Sequence, residues 1–494
     1  MAAEKTTMTI TTVELSRNED QSLTPSWLVA HETPMPENEY FEPALLNLAD
    51  RIKSRSRKPI QYTQAQKPSR PIEDPQPVSP AERVTSQSPK RHIEDSAQQP
   101  SPQRRKISQD EEDTKPIEAR DTTPTTPDDV RPTNDIAGNT ALVAQMIKAL
   151  ELRVKPKANC FGDRQNSHIL HLLQNASAAN EHEMLFLSGT EATKMLLPGV
   201  FHNGPILTEG QQPLPLQSIE DFLGEYYDDE SKIFIQDPSV KIAGGSHFAR
   251  EVTIGSIKKR ILEGKRKGRP WNCLELATHV EDGLRPSFLS GEDTRLLTKL
   301  KFEQGKTHGG RHSYPPGYKE VEKWALLAEA GALTEPHQDS HGYSTYITVN
   351  QGTVGFGWLS YPSDEERKAW ALTPENIPGD RFRYVVMKPG QTVFFPAGTI
   401  HFVFRLPSTG HTLAFGGHVL RCSNIVHWVK TLLEEEASPH VTNEDLTASA
   451  PGYLNRVEGF VKQAQKSNTL EKWGGAEAVQ EFLRLKAEFI ERRG

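Results

Sequence analysis

Between Tyr343 and Arg421 the chain is cut into short extended runs by glycine-bearing turns, and this spacing limits the possible folds more than any other feature. Thr345 to Val349, Phe382 to Met387, Thr392 to Phe395, His401 to Leu406 and Thr412 to Phe415 are rich in β-branched and aromatic side chains, as strands require. Asn350-Gln351-Gly352, Lys388-Pro389-Gly390 and Pro396-Ala397-Gly398 supply the turns that separate several of them. Short strands divided in this way suit two antiparallel sheets closed face to face as a jelly roll.

The flanking sequence differs. Residues 1 to 135 are rich in Pro, Ser, Thr, Gln and charge, show no period of two or of 3.6, and are expected to be disordered. From Asn139 a helix is expected, with Thr140 as its cap and Leu142, Val143, Met146, Ile147 and Leu150 at helical spacing. Between 160 and 330 short apolar runs such as Ser231 to Ile235 and Trp271 to Leu276 alternate with polar stretches. After Cys422, Ile425, Trp428, Val429, Leu432 and Leu433 share one helical face, and a last amphipathic helix is expected around Ala476 to Arg492. The predicted fold is thus mainly β with flanking helices. A double-stranded β-helix, the cupin jelly roll, occupies 331–423; a mixed α/β segment at 136–330 buttresses it; helices fill 424–494; and the tail covers 1–135.

Cys160, Cys273 and Cys422 stand far apart with no Cys-x-x-Cys pair, which argues against a zinc finger and a disulfide framework. No apolar stretch reaches 18 residues and the N-terminus lacks the layout of a signal peptide, so a soluble, unsecreted protein without a membrane contact is expected. Lys90-Arg91 and Arg104-Arg105-Lys106 form a two-part basic signal that points to the nucleus. Ser79, Ser88, Ser101, Thr123 and Thr126 each precede proline, and phosphate at Ser88 would offset the adjoining basic pair. Lys258-Lys259-Arg260, Lys265-Arg266-Lys267 and Arg269 make a second basic stretch, over 258–269, that could contact DNA phosphates or form a solvated helix face.

The chemistry centres on His337-Gln338-Asp339. On an extended segment residues i and i+2 leave the same face, so one metal ion can meet both the imidazole and the carboxylate. With 17 His and 65 acidic residues in 494 positions, about two such triplets arise by chance (17 × 65/494). Context separates the three that occur: His92-Ile93-Glu94 lies in the tail, and His279-Val280-Glu281 has no downstream strand and turn carrying a partner. His337 has one, because His401 follows 62 to 64 residues later, just after the turn at Pro396-Ala397-Gly398. Two His and one carboxylate would leave three octahedral positions open.

These residues carry a resemblance. Thr334-Glu335-Pro336-His337-Gln338-Asp339, Gly342, Ser344 and Gly352, the run from Lys388 to His401, and Thr412-Leu413-Ala414-Phe415-Gly416-Gly417 are similar to the JmjC domain of histone lysine demethylases, closest to the branch that often carries a plant-homeodomain finger. The resemblance is close over about 90 residues and loose over perhaps 250. It implies Fe(II) held by His337, Asp339 and His401, with 2-oxoglutarate as cosubstrate and Thr334 on its far carboxylate. It further implies hydroxylation of a substrate C–H, which on an N-methyl group releases formaldehyde, and a histone tail or other nuclear protein as partner.

The sequence departs from the family at two positions. Val354 stands where the family has a lysine for the far carboxylate, and His418 replaces an asparagine. A buried carboxylate without its cation is costly, so His418, Arg405 or Arg421 would have to compensate, or cosubstrate binding would weaken. Tyr343, Tyr346, Phe356 and Trp358 could line a methylammonium pocket or pack as core. Three readings stay open: a methyl-lysine demethylase, a protein hydroxylase, and a JmjC fold kept as a catalytically impaired scaffold in chromatin.

Overall fold

The computed structural model describes residues 130–494 apart from 159, 227, 241–248, 266–267, 279, 281–282, 302–306, 309–310, 313–320, 443–449 and 494. The expectations for the tail, its basic pairs and its Ser-Pro and Thr-Pro sites fall almost wholly outside these residues. So do His279 and Glu281.

Eight strands in two four-stranded layers form the centre: β1 (Trp324–Ala328), β2 (Leu333–His337), β3 (Ser344–Gln351), β4 (Val354–Leu359), β5 (Phe382–Met387), β6 (Gln391–Phe395), β7 (His401–Arg405) and β8 (Thr412–Val419). One layer runs β5-β4-β7-β2 and the other β6-β3-β8-β1, and every neighbouring pair among these is antiparallel. This is the expected jelly roll. The first layer gains Ser177–Ala178 beside β5. The second is extended by Leu185–Phe186 and Ile206–Glu209 beyond β6, and by Asn272–Leu276, Lys232–Gln236 and Ala249–Thr253 beyond β1.

Alternation along each strand decides what meets what. On β4, Val354, Phe356 and Trp358 turn into the space between the layers, where Ile347, Phe395 and Val403 join them. The intervening Gly355 and Gly357 lie under Phe404 and Phe402 of β7, whose rings face the other way, onto the helices Ile136–Glu151 and Phe161–Asn175. The outer face of the second layer is covered similarly, by Phe222, Leu223, Ile257 and Ile261 packed on Leu327, Leu413 and Phe415. Glu329, fully buried just after β1, accepts from Arg260 and from the Trp271 backbone N–H, which locks this cover to the barrel.

Several local expectations shift. The first helix starts at Ile136, capped by Asp135, whose carboxylate accepts from the Gly138 N–H, while Thr140 sits inside it and donates to the Ile136 carbonyl. An aspartate three residues ahead of a free N–H simply caps better there than a threonine one turn later. The barrel also begins at Trp324, ahead of residue 331. The C-terminal helices run Ile425–Ala437, Ala450–Ser467 and Gly475–Arg493, and Ile425, Trp428, Val429, Leu432 and Leu433 are buried among them as their spacing predicts.

Candidate metal centre

β2 and β7 are neighbours, and their register places His337 directly across from His401. Residues 64 apart in sequence thereby become cross-strand partners. Gln338 then holds the chain extended by donating its N–H to the Val441 carbonyl, and Asp339 follows with φ −68° and ψ 139°. The turn beyond it is clamped by Glu435 of the helix Ile425–Ala437, whose carboxylate accepts the His341 and Gly342 N–H groups at 2.8 and 2.7 Å. Gly342 sits at φ 61°, where a Cβ would strike Trp428 at 2.9 Å.

The two imidazoles are oriented alike. His337 Nδ1 lies 2.9 Å from the Glu335 carbonyl and His401 Nδ1 lies 3.0 Å from the Thr399 carbonyl. A carbonyl only accepts, so each Nδ1 carries the proton and each Nε2 presents a lone pair. Those Nε2 atoms lie 3.6 and 3.8 Å from the Asp339 Oδ1, and the three ligand atoms fall within 4.8 Å of one another. Adjacent ligands at bonds of roughly 2.1 Å to an octahedral ion stand about 3 Å apart, so a small inward movement would close the set on a metal.

Electrostatics favours the ligating protonation states. Burial pushes His401 down to about 4, assisted by the neighbouring His337 ring and only partly opposed by Asp339, so the ring is neutral at physiological pH. For Asp339 burial alone would raise the carboxyl, but His401, His337 and His418 outweigh it and hold the group below the ordinary carboxylate range. Its second oxygen, Oδ2, accepts from the Thr345 hydroxyl at 2.5 Å, and the Thr345 oxygen lies 2.9 Å from His418 Nδ1. His418 thus belongs to the support of Asp339. Thr345 carries no sequence signal beyond its place on β3.

A cavity runs inward from this trio and is lined by Thr334, Ile347, Val403, Arg405 and Trp324 among others. Thr334 Oγ1 accepts from Arg405 Nη1 and from Asn272 Nδ2, each at 3.0 Å. With both lone pairs engaged, its hydroxyl proton is left to donate into the cavity. Arg421 is excluded from any such role, because it pairs with Asp293 at 2.8 Å and donates to the carbonyls of Leu196, Leu197 and Val200. The four aromatics do not make a common cage: Tyr343, Tyr346 and the Phe356 and Trp358 pair are buried in three separate clusters. Phe356 instead stacks on the His401 ring, 5.5 Å between centroids.

Over a fifth of its length the chain matches known proteins. It is 32% identical over 117 residues to lysine-specific demethylase 2A of Xenopus tropicalis, covering 22% of this chain and 10% of that protein. It is 31% identical over 117 residues to lysine-specific demethylase 2B of Mus musculus, covering 22% and 9%, and 30% identical over 121 residues to JmjC domain-containing histone demethylation protein 1 of Debaryomyces hansenii, covering 20% and 22%. The chain is similar to JmjC-domain lysine demethylases. It spans less than a quarter of the length of these curated relatives. No family model matches it.

Outside the JmjC-like core, four of the cations in the basic stretch 258–269 are paired with acids of the same chain. Arg260 is buried against Glu329, Lys258 pairs with Asp229, Lys265 with Glu263 and Arg269 with Asp163, while Arg266 and Lys267 lie outside the described residues. Arg260 is thereby turned inward, while Lys259 stays exposed at the surface. Among the described residues, no helix is long and apolar enough to cross a membrane.

Proposed function

We propose that the chain is an Fe(II)- and 2-oxoglutarate-dependent dioxygenase of the JmjC type, acting in the nucleus on methyl-lysine in a histone tail or another nuclear protein. One observation carries this reading: His337, Asp339 and His401 converge with both Nε2 lone pairs turned toward the carboxylate. The similarity to lysine demethylases supplies the substrate class.

In this reading His337, Asp339 and His401 would hold the iron, and Thr334 would donate to the far carboxylate of 2-oxoglutarate. With O₂ as the oxidant, the bound pair would supply oxidative decarboxylation of the keto acid to succinate and CO₂, one oxygen atom going to succinate and the other to a substrate C–H bond. The chain's own part is to bind, orient and keep water out. The carbonyls of Glu335 and Thr399 fix the rings, Thr345 fixes the carboxylate, and Phe356, Phe395 and Val403 keep the inner wall apolar. His418 stands close to the cavity through Thr345 and contributes polarity there.

Val354 favours a second reading, a scaffold that keeps the fold without turnover. Succinate release separates the two. With purified protein, Fe(II), ascorbate and 2-oxoglutarate, turnover is expected in the wild type and its loss, by at least about a hundredfold, in His337→Ala. Metal binding with no succinate from the wild type would favour the scaffold. Formaldehyde from methylated histone peptides then distinguishes demethylation from hydroxylation.

A further inference from the structure

Arg405 is a buried guanidinium without an acid. Its side chain is 2% exposed, yet among the described residues no carboxylate lies within salt-bridge distance, and its Nε has no hydrogen-bond partner. Burial depresses it to about 10, and the only opposing influence is the Cys273 thiol. A protein does not ordinarily enclose an unmatched cation, because the desolvation cost is several kcal/mol without a compensating charge. Here the cation also lines the cavity that starts at His337, Asp339 and His401.

The neighbouring groups are donors too. Trp324 lines the same cavity and its buried Nε1 has no hydrogen-bond partner, and the Thr334 hydroxyl is left with its proton to give. Arg405, Thr334 and Trp324 bring donors to the wall of a cavity that also holds the Asp339 carboxylate, and together describe an anion site. Its distance from the trio is set by the strand. His401, Val403 and Arg405 alternate inward along β7, so the first and last are about 13 Å apart at 3.3–3.4 Å per residue. A five-carbon dicarboxylate reaching in from a metal fits between them.

The register says why the cation stands here. Val354 of β4 pairs directly with Arg405 of β7, so their side chains leave the same face at the same level. We infer that Arg405 takes the place of the lysine absent at Val354, so that the charge for the far carboxylate of 2-oxoglutarate has moved across one strand pair, with Thr334 and Trp324 completing the site. The inference rests on the dioxygenase reading and identifies how its cosubstrate is held.

Binding, not turnover, tests it. Calorimetry on the Mn(II)-loaded, oxygen-stable full chain would compare 2-oxoglutarate with 2-oxopentanoate, which has the same keto acid end and a methyl in place of the far carboxylate. The wild type is expected to prefer the diacid by tenfold to hundredfold, as one charge-assisted contact provides. Arg405→Met should bring that ratio to near one while leaving 2-oxopentanoate and Mn(II) binding within about threefold, and Val354→Lys added to Arg405→Met should restore it. The ligand-free Arg405→Met protein should unfold at the same temperature or a higher one, whereas a purely structural arginine would lower it. A wild-type ratio near one, or a ratio unchanged by Arg405→Met, overturns the assignment. Absence of Mn(II) binding in the wild type would instead bring down the dioxygenase reading beneath it.

Discussion

At the scale of single residues, the candidate site depends on where its histidines and carboxylate hold their protons. His401 is kept neutral by burial, which makes it a ready ligand and a liability in acid. Its folded value of about 4 lies below the ordinary 6.5, so between those values the unfolded chain takes up a proton that the folded chain refuses. Stability from this residue is therefore lost as pH falls from about 6.5 toward 4, by roughly 2 kcal/mol at pH 5. Denaturant unfolding of metal-free protein at pH 7 and pH 5 should show that loss in the wild type and a smaller one in His401→Phe, whose ring can stack on Phe356 and Phe395 without titrating. Equal losses in both would remove burial of the imidazole as the cause.

At the scale of elements, the placement of ligands follows from how β4, β7 and β2 lie side by side. Gly355 lets the Phe404 ring lie flat on the β4 backbone, and a Cβ there would come within 2.1 Å of a ring carbon. Phe404 is fully buried among Leu333, Leu406 and the helix residues, so the ring has nowhere to go. Gly355→Ala should cost about 1–3 kcal/mol by overpacking, read as a lower denaturant midpoint, and Phe404→Leu should recover part of it in the double variant. Additive effects in the double variant would mean that the two residues do not compete for space.

At the scale of the whole molecule, much of the barrel is legible in the sequence, and the exceptions have physical reasons. β5 is readable end to end, β6 and β7 nearly so, β3 in its middle and β8 in its first half, because glycine turns flank β-branched and aromatic runs. β1 is not, since Trp-Ala-Leu-Leu-Ala is buried on both faces and shows no alternation. β4 hides behind its two glycines, which weaken a strand pattern while making room for the rings opposite. The metal trio is legible because its residues are chemically distinctive and one pair is close in sequence. Arg405 can be named beforehand only as one of three cations, for its pairing with Val354 is a property of register that spacing alone does not determine. The support from Thr345, Glu435 and the backbone carbonyls is likewise tertiary.

Residues from two neighbouring strands and the turn after one of them should close on a single metal ion. An anaerobic calorimetric titration of the full chain with Fe(II), wild type beside His401→Ala, tests it most directly. One equivalent should bind the wild type, with affinity falling by about a hundredfold or more in the variant. Binding of equal strength and stoichiometry in both proteins would show that the iron, if held at all, is held elsewhere.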